Sequence, residues 1–120
     1  MSFRQQLTEK LASDYKSELI VGQGMEAVVQ FLEGLASEWK DILDVTEEVA
    51  VDTSNKYVKV RNTTLQFRGT SKGIEVFTEF DQVDFLAVQE QQGILKSARF
   101  PEVHGLADLF DTYLRTVFGQ

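Results

Sequence analysis

His104 is the only histidine in the chain, and in FPEVHGL it follows Glu102 by two residues, so by residue type it is the best candidate general base. A catalytic role needs a nucleophile or a substrate pocket as well. The sequence shows neither, so His104 is expected in a loop or a first helical turn. Asp81 with Asp84, Glu47 with Glu48, and Asp108 with Asp111 are carboxylate pairs able in principle to hold a hard cation or to divide acid and base roles. Each falls at a turn, a strand edge or a polar helix face, where carboxylates are common. With no cysteine and one histidine, thiolate and multi-histidine metal sites are excluded, and neither metal nor cofactor is expected.

Two stretches suggest anion binding. FRGTSKGIEVFTEF, residues 67–80, begins almost like a phosphate loop, but a P-loop needs its second glycine followed by Lys-Ser/Thr and then a helix whose dipole meets the anion. Here the order differs and a strand-like run follows, so a hairpin turn at Thr70 to Gly73 is expected. Lys56, Lys59, Arg61, Arg68 and Lys72 form a basic island with no acid between Asp52 and Glu75. It would serve an acidic partner, or else pair with acidic neighbouring strands.

The elements that position these residues follow from periodicity. Phe3, Leu7, Leu11, Tyr15 and Leu19 recur every four residues, as on one stripe of a helix that should stop near Gly22. Beyond Gly22-Gln23-Gly24, a stronger pattern from Val28 to Leu43 predicts a second helix over about Met25 to Leu43. Leu106, Leu109, Phe110, Tyr113, Leu114, Val117 and Phe118 predict a closing helix. Between them the period is two and β-branched and aromatic residues dominate, giving strands near 45–52, 57–61, 64–68, 74–80, 83–89 and 94–100. The connections are too short for parallel crossovers. The expected fold class is α+β: two N-terminal helices, an antiparallel meander of about six strands, and one C-terminal helix packed on the sheet, in a single domain over 1–120. This element order resembles the helix-grip, lipid-transfer-like class with its first strand missing.

Pairing the strands by their apolar residues places Val51 opposite Val58, Val49 opposite Val60, Val60 opposite Leu65, Val58 opposite Phe67, Phe67 opposite Val76, Thr78 opposite Phe85, and Phe85 opposite Ala98. The other face then holds three opposite-charge pairs, Glu48–Arg61, Arg68–Glu75 and Asp84–Arg99, and one like-charge pair, Glu79–Asp84. Phe77, Leu86, Val88 and Leu95, with Tyr57 further across, also fall on that face. Unless the C-terminal helix covers them, these five are the expected partner-binding patch.

A net charge of -7 disfavours nonspecific binding to nucleic acid and to anionic membrane. Neither is expected as a partner. Without an N-terminal secretion pattern, a cytoplasmic location is expected. The segment Glu26 to Asp52 holds eight acids against Lys40, a surface able to steer a basic partner. The leading expectation is therefore a small acidic non-enzymatic interaction module, of the adaptor, chaperone or immunity/inhibitor kind, that masks another protein or self-associates as a homodimer. The alternative is a binder of a small apolar ligand in a pocket between a curved sheet and the helices, lined by Trp39, Phe67, Phe85 and Tyr113.

Overall fold

The computed structural model describes residues 2–119. Ser2 opens the first helix, α1 (Phe3–Asp14), with a capping box: its hydroxyl accepts from the Gln5 amide at 3.2 Å and the Gln5 side chain accepts from the Ser2 amide. Tyr15 interrupts the helix by its dihedrals alone, because hydrogen bonds from Tyr15 N–H to the Leu11 carbonyl and from Leu19 N–H to the Tyr15 carbonyl carry the ladder across it. The chain thus continues directly into α2 (Lys16–Glu38), then past Trp39 into α3 (Lys40–Val45). Together α1 and α2 make a rod of ~54 Å at 1.5 Å per residue, which accounts for the 57 Å long axis of the molecule.

The expected break at Gly22-Gln23-Gly24 does not occur; the helix runs through it. Gly24 is buried, and a Cβ there would lie 2.4 Å from Leu95 Cδ1 and 2.8 Å from Ile74 Cδ1. Its glycine allows α2 to approach the sheet closely rather than ending a helix. By length and mean hydropathy α2 could cross a membrane, but Ile20, Val21, Val28, Leu32 and Leu35 are spent on the protein core.

Six strands follow: β1 (Val49–Asp52), β2 (Tyr57–Val60), β3 (Thr63–Gly69), β4 (Gly73–Phe77), β5 (Gln82–Gln89) and β6 (Ile94–Ser97), then α4 (Leu106–Phe118). They form one antiparallel sheet in sequence order, with β1 and β6 as its edges. The fold is the α+β arrangement expected, with α2 and α4 on one face. Val51↔Val58, Val49↔Val60, Phe67↔Val76 and Arg68↔Glu75 pair as expected. The β2–β3 turn is Arg61-Asn62, so Val58 meets Leu65 rather than Phe67, and Val60 meets Thr63 rather than Leu65. That slip is two residues, so every side chain keeps its face.

The β4–β5 pairing differs more seriously. The chain turns at Thr78–Asp81, where Thr78 N–H donates to the Asp81 carbonyl at 2.8 Å, and the register shifts between Val76 and Phe77. Phe85 therefore pairs with Glu75, not Thr78, and Val76 with Asp84. The offset is three residues, an odd number, so β5 and β6 present the opposite faces from those expected. Leu86, Val88 and Leu95 turn under the helices, with Leu86 fully buried. The expected Glu79–Asp84 opposition disappears, and Glu79 instead accepts from the Thr64 amide at 2.8 Å, a bond that holds its carboxyl below the usual range.

The core between the layers is aromatic at its centre. The Phe67 ring stands 5.6 Å from Phe110, 6.3 Å from Tyr113 and 6.5 Å from Phe31. α4 thus packs on the same face as α2 and leaves the other sheet face uncovered.

Candidate functional site

The residues singled out for chemistry do not converge. His104 is exposed in the segment between β6 and α4, with Glu102 also exposed nearby. Asp81 lies in an exposed turn while Asp84 is buried. Asp111 pairs along α4 with Arg115 at 3.4 Å. Among the described residues, no three His, Asp or Glu side chains gather as a metal site. The Thr70–Gly73 turn uses its own amides: Thr70 Oγ1 accepts from Lys72 and Gly73 N–H, each at 3.2 Å, and Thr70 N–H donates to the Gly73 carbonyl. Those amides are directed inward, away from any phosphate.

The basic island separates into individual roles. Arg68 makes an ion pair with Glu75 and lays its guanidinium 5.2 Å from the Phe77 ring centroid. Lys59 and Arg61 border a shallow depression with Glu47 and Glu48. The Lys56 ammonium donates to the Ser54 carbonyl at 2.9 Å. Of the five expected partner-binding residues, Tyr57 and Phe77 lie half-buried on the uncovered face, joined there by Phe85. Leu86, Val88 and Leu95 belong to the covered face, for the reason of register just described. The four residues expected to line a ligand pocket do not share one space: Phe67 and Tyr113 are packed ring against ring, Trp39 is half-buried at the α2–α3 junction, and Phe85 is on the far side of the sheet.

Asp84 does something the sequence reading missed. Its exposed pairing with Arg99 was expected; instead the carboxylate is inside, 4% exposed, and binds four donors. The Ser97 and Tyr113 hydroxyls donate to Oδ2, and the Phe85 and Arg99 amides donate to Oδ1 at 2.7 and 2.9 Å. The Arg99 guanidinium turns away, donating to the Val83 carbonyl and lying over the Phe100 ring. One carboxylate thereby clasps β5, the end of β6 and α4. Burial first, then the hydrogen bond to Asp84 and its charge, push the Tyr113 phenol well above its ordinary 10.0.

A pH dependence follows. With the folded pKa raised, Tyr113 contributes its stabilisation in full below the unfolded value of 10.0 and loses it as pH rises beyond that value. Unfolding free energy measured by urea titration is expected to fall by up to ~1.4 kcal/mol per pH unit from this one group above pH 10. Tyr113→Phe should remove that component of the slope.

An apolar-walled cleft lies elsewhere, at the β6 edge. A cleft of about 460 Å³ opens between α2, β6 and the segment leading into α4. Ile20, Leu95, Val103, Leu106 and Leu109 supply apolar walls, while Gln23 and His104 supply polar groups. Gly24 lines it as well, so the absent side chain that lets α2 approach the sheet also leaves Leu95 room beside the cleft. β6 is an edge strand, so among the described residues one side of its backbone has no neighbouring strand. Of the residues picked from sequence, Leu95 and His104 belong to this cleft. Ile20, Gln23, Val103 and Leu106 carried no sequence signal beyond helix periodicity, because the cleft joins segments distant along the chain. Comparison with protein-family models, curated proteins and solved structures found no match to this chain.

Proposed function

We propose that the protein is a non-enzymatic interaction module that holds an extended segment of a protein partner along β6, with an apolar side chain of that segment in the adjoining cleft. The observation that carries this reading is the coincidence of a free strand edge with a 460 Å³ apolar-walled cleft. Strand addition supplies affinity through main-chain hydrogen bonds and specificity through side-chain pockets, and this site offers both. Seven of the eight acids from Glu26 to Asp52 are exposed along α2, α3 and the segment after them, a surface that would favour a partner with basic residues flanking the docked segment. His104 stands exposed at the cleft, where its imidazole would meet the docked segment. A cytoplasmic site of action belongs to the same proposal.

A second reading has support from the same cleft, whose volume falls in the ~300–1,000 Å³ range of small-molecule pockets. Native mass spectrometry of the protein purified gently from its source cells separates the two: a bound protein mass favours the module, a retained small apolar molecule favours the ligand binder. Val103→Asp places a charge in the cleft from a half-buried loop position. It is expected to lower the co-purified partner at least ~10-fold, the effect of about 1.4 kcal/mol, while far-UV circular dichroism stays unchanged. Undiminished co-purification from the variant would refute the cleft as the docking site.

A further inference from the structure

α1 buries none of its residues, and Phe3, Leu7, Leu11 and Tyr15, with Leu19 following in α2, remain 43–75% exposed along one spacing of four. The last tie to the body near this end is the hydrogen bond between Ser17 and Glu90 in the β5–β6 turn. The arm from Phe3 to Tyr15 is ~20 Å long. The arm propagates from α2 without a break in its hydrogen-bond ladder, yet nothing packs against its apolar row, and these five side chains leave on the order of 500 Å² of apolar surface uncovered. We infer that this arm pairs with the same arm of a second copy, antiparallel, about a twofold axis at Ala12.

Charge and spacing select a second copy as the occupant. The segment from Phe3 to Leu19 carries Arg4, Lys10 and Lys16 against Glu9, Asp14 and Glu18, a net of zero in a chain of -7, so two arms meet without repulsion. Rows spaced by four form the ridges that interlock when helices pack. With the axis at Ala12, residue 10 stands opposite residue 14 of the other copy, so Lys10 and Asp14, which pair within one helix at 3.8 Å, also pair across the axis in both directions. Leu11 then seats between Leu11 and Tyr15 of the other arm. A parallel pair would instead set Lys10 beside Lys10 and bring both bodies to one end. The row turns about 40° round the helix at each step, so Leu7, Leu11 and Tyr15 of each arm face the partner most directly; the buried area falls short of the ~1,200 Å² of a stable interface, and the dimer should dissociate on dilution.

The absence of cysteine makes the test clean. In light scattering over millimolar to micromolar protein, the wild type should move from twice the 13.6 kDa chain mass toward the single mass, while Leu7→Asp/Leu11→Asp stays at 13.6 kDa throughout. Under mild oxidation Leu11→Cys should form a covalent dimer, because residue 11 faces the partner beside the axis and comes within the ~4.4–6.8 Å Cα separation a disulfide needs. Thr8→Cys should not crosslink, because its two copies lie about 12 Å apart along the helices. A wild type that is monomeric at every concentration overturns the inference, as does a dimer in which Thr8→Cys crosslinks as readily as Leu11→Cys. The double aspartate variant leaves the β6 cleft intact, so its failure to dimerise would not disturb partner capture there.

Discussion

Asp84→Ala is expected to cost about 3–5 kcal/mol, the range for breaking a buried, fully bonded charge network. The cost comes less from the missing carboxylate than from what it leaves behind. The Ser97 and Tyr113 hydroxyls and the Phe85 and Arg99 amides lose one shared acceptor. Tyr113 is fully buried and Ser97 nearly so, so water cannot readily replace the acceptor. Asp84→Asn should be milder, because its carbonyl can still accept both amides while its NH₂ group cannot accept from the hydroxyls. Tyr113→Phe alone should cost ~1.5–3 kcal/mol, as for one hydrogen bond to a charged group. Urea denaturation of the three variants and of Asp84→Ala/Tyr113→Phe closes a double-mutant cycle. A coupling energy below ~0.5 kcal/mol would mean the clasp does not join these groups.

Gly73→Ala should be the next most damaging change, at about 2–4 kcal/mol from a forced backbone shift. The added Cβ would lie 2.1 Å from the Leu86 carbonyl oxygen and 3.0 Å from its carbon, with the Phe85 ring tip at 2.8 Å. At Gly24 the obstructing atoms are terminal methyls able to rotate. At Gly73 the obstruction is the main chain of β5, held by the Gly73↔Ala87 and Ile74↔Leu86 pairing, so relief requires opening the β4–β5 ladder. Gly22→Ala is the matched control: nothing lies within 4 Å of its Cβ, it sits within α2, and helix propensity predicts a gain of up to ~1 kcal/mol. If Gly73→Ala unfolds at the wild-type urea midpoint, the account of close strand packing there is wrong.

These two sites also mark where the sequence was and was not legible. Alternation is local, so the six strands, the closing helix and the β1–β2 and β3–β4 registers could be read directly from apolar spacing. The error in the β2–β3 turn was harmless because it was even. The β4–β5 error was odd, arising from a register shift at Val76/Phe77 that no residue type announces, and it carried Asp84, Leu86, Val88, Leu95 and Phe85 to the wrong faces together. An Asp sharing a face with Leu86 and Val88 looked like surface; its partners Ser97 and Tyr113 are 13 and 29 residues away, and only the fold brings them near. Gly22-Gln23-Gly24 misled for a related reason. Glycine permits tight packing as well as helix ends, and which role applies to Gly24 depends on Leu95 and Ile74 from distant strands.

The cleft was visible only in its parts. Leu95 stands out in the sequence as apolar and His104 as a lone imidazole, but their common wall with Ile20 and Val103 exists only after α2 crosses the β6 edge. The projecting arm was the reverse case. Its stripe was plain from Phe3 to Leu19, yet the core it seemed to require lies outside the single chain.

Docking at the β6 edge is tested most directly by hydrogen exchange on the complex purified from source cells, compared with the chain alone. Strand addition predicts slowed exchange for amides in Ile94–Ser97 and in the cleft segment near Val103 to Leu106, with Tyr57–Val60 unchanged. Protection confined to the uncovered sheet face around Tyr57 and Phe77, with β6 exchanging as it does in the free chain, would contradict the account.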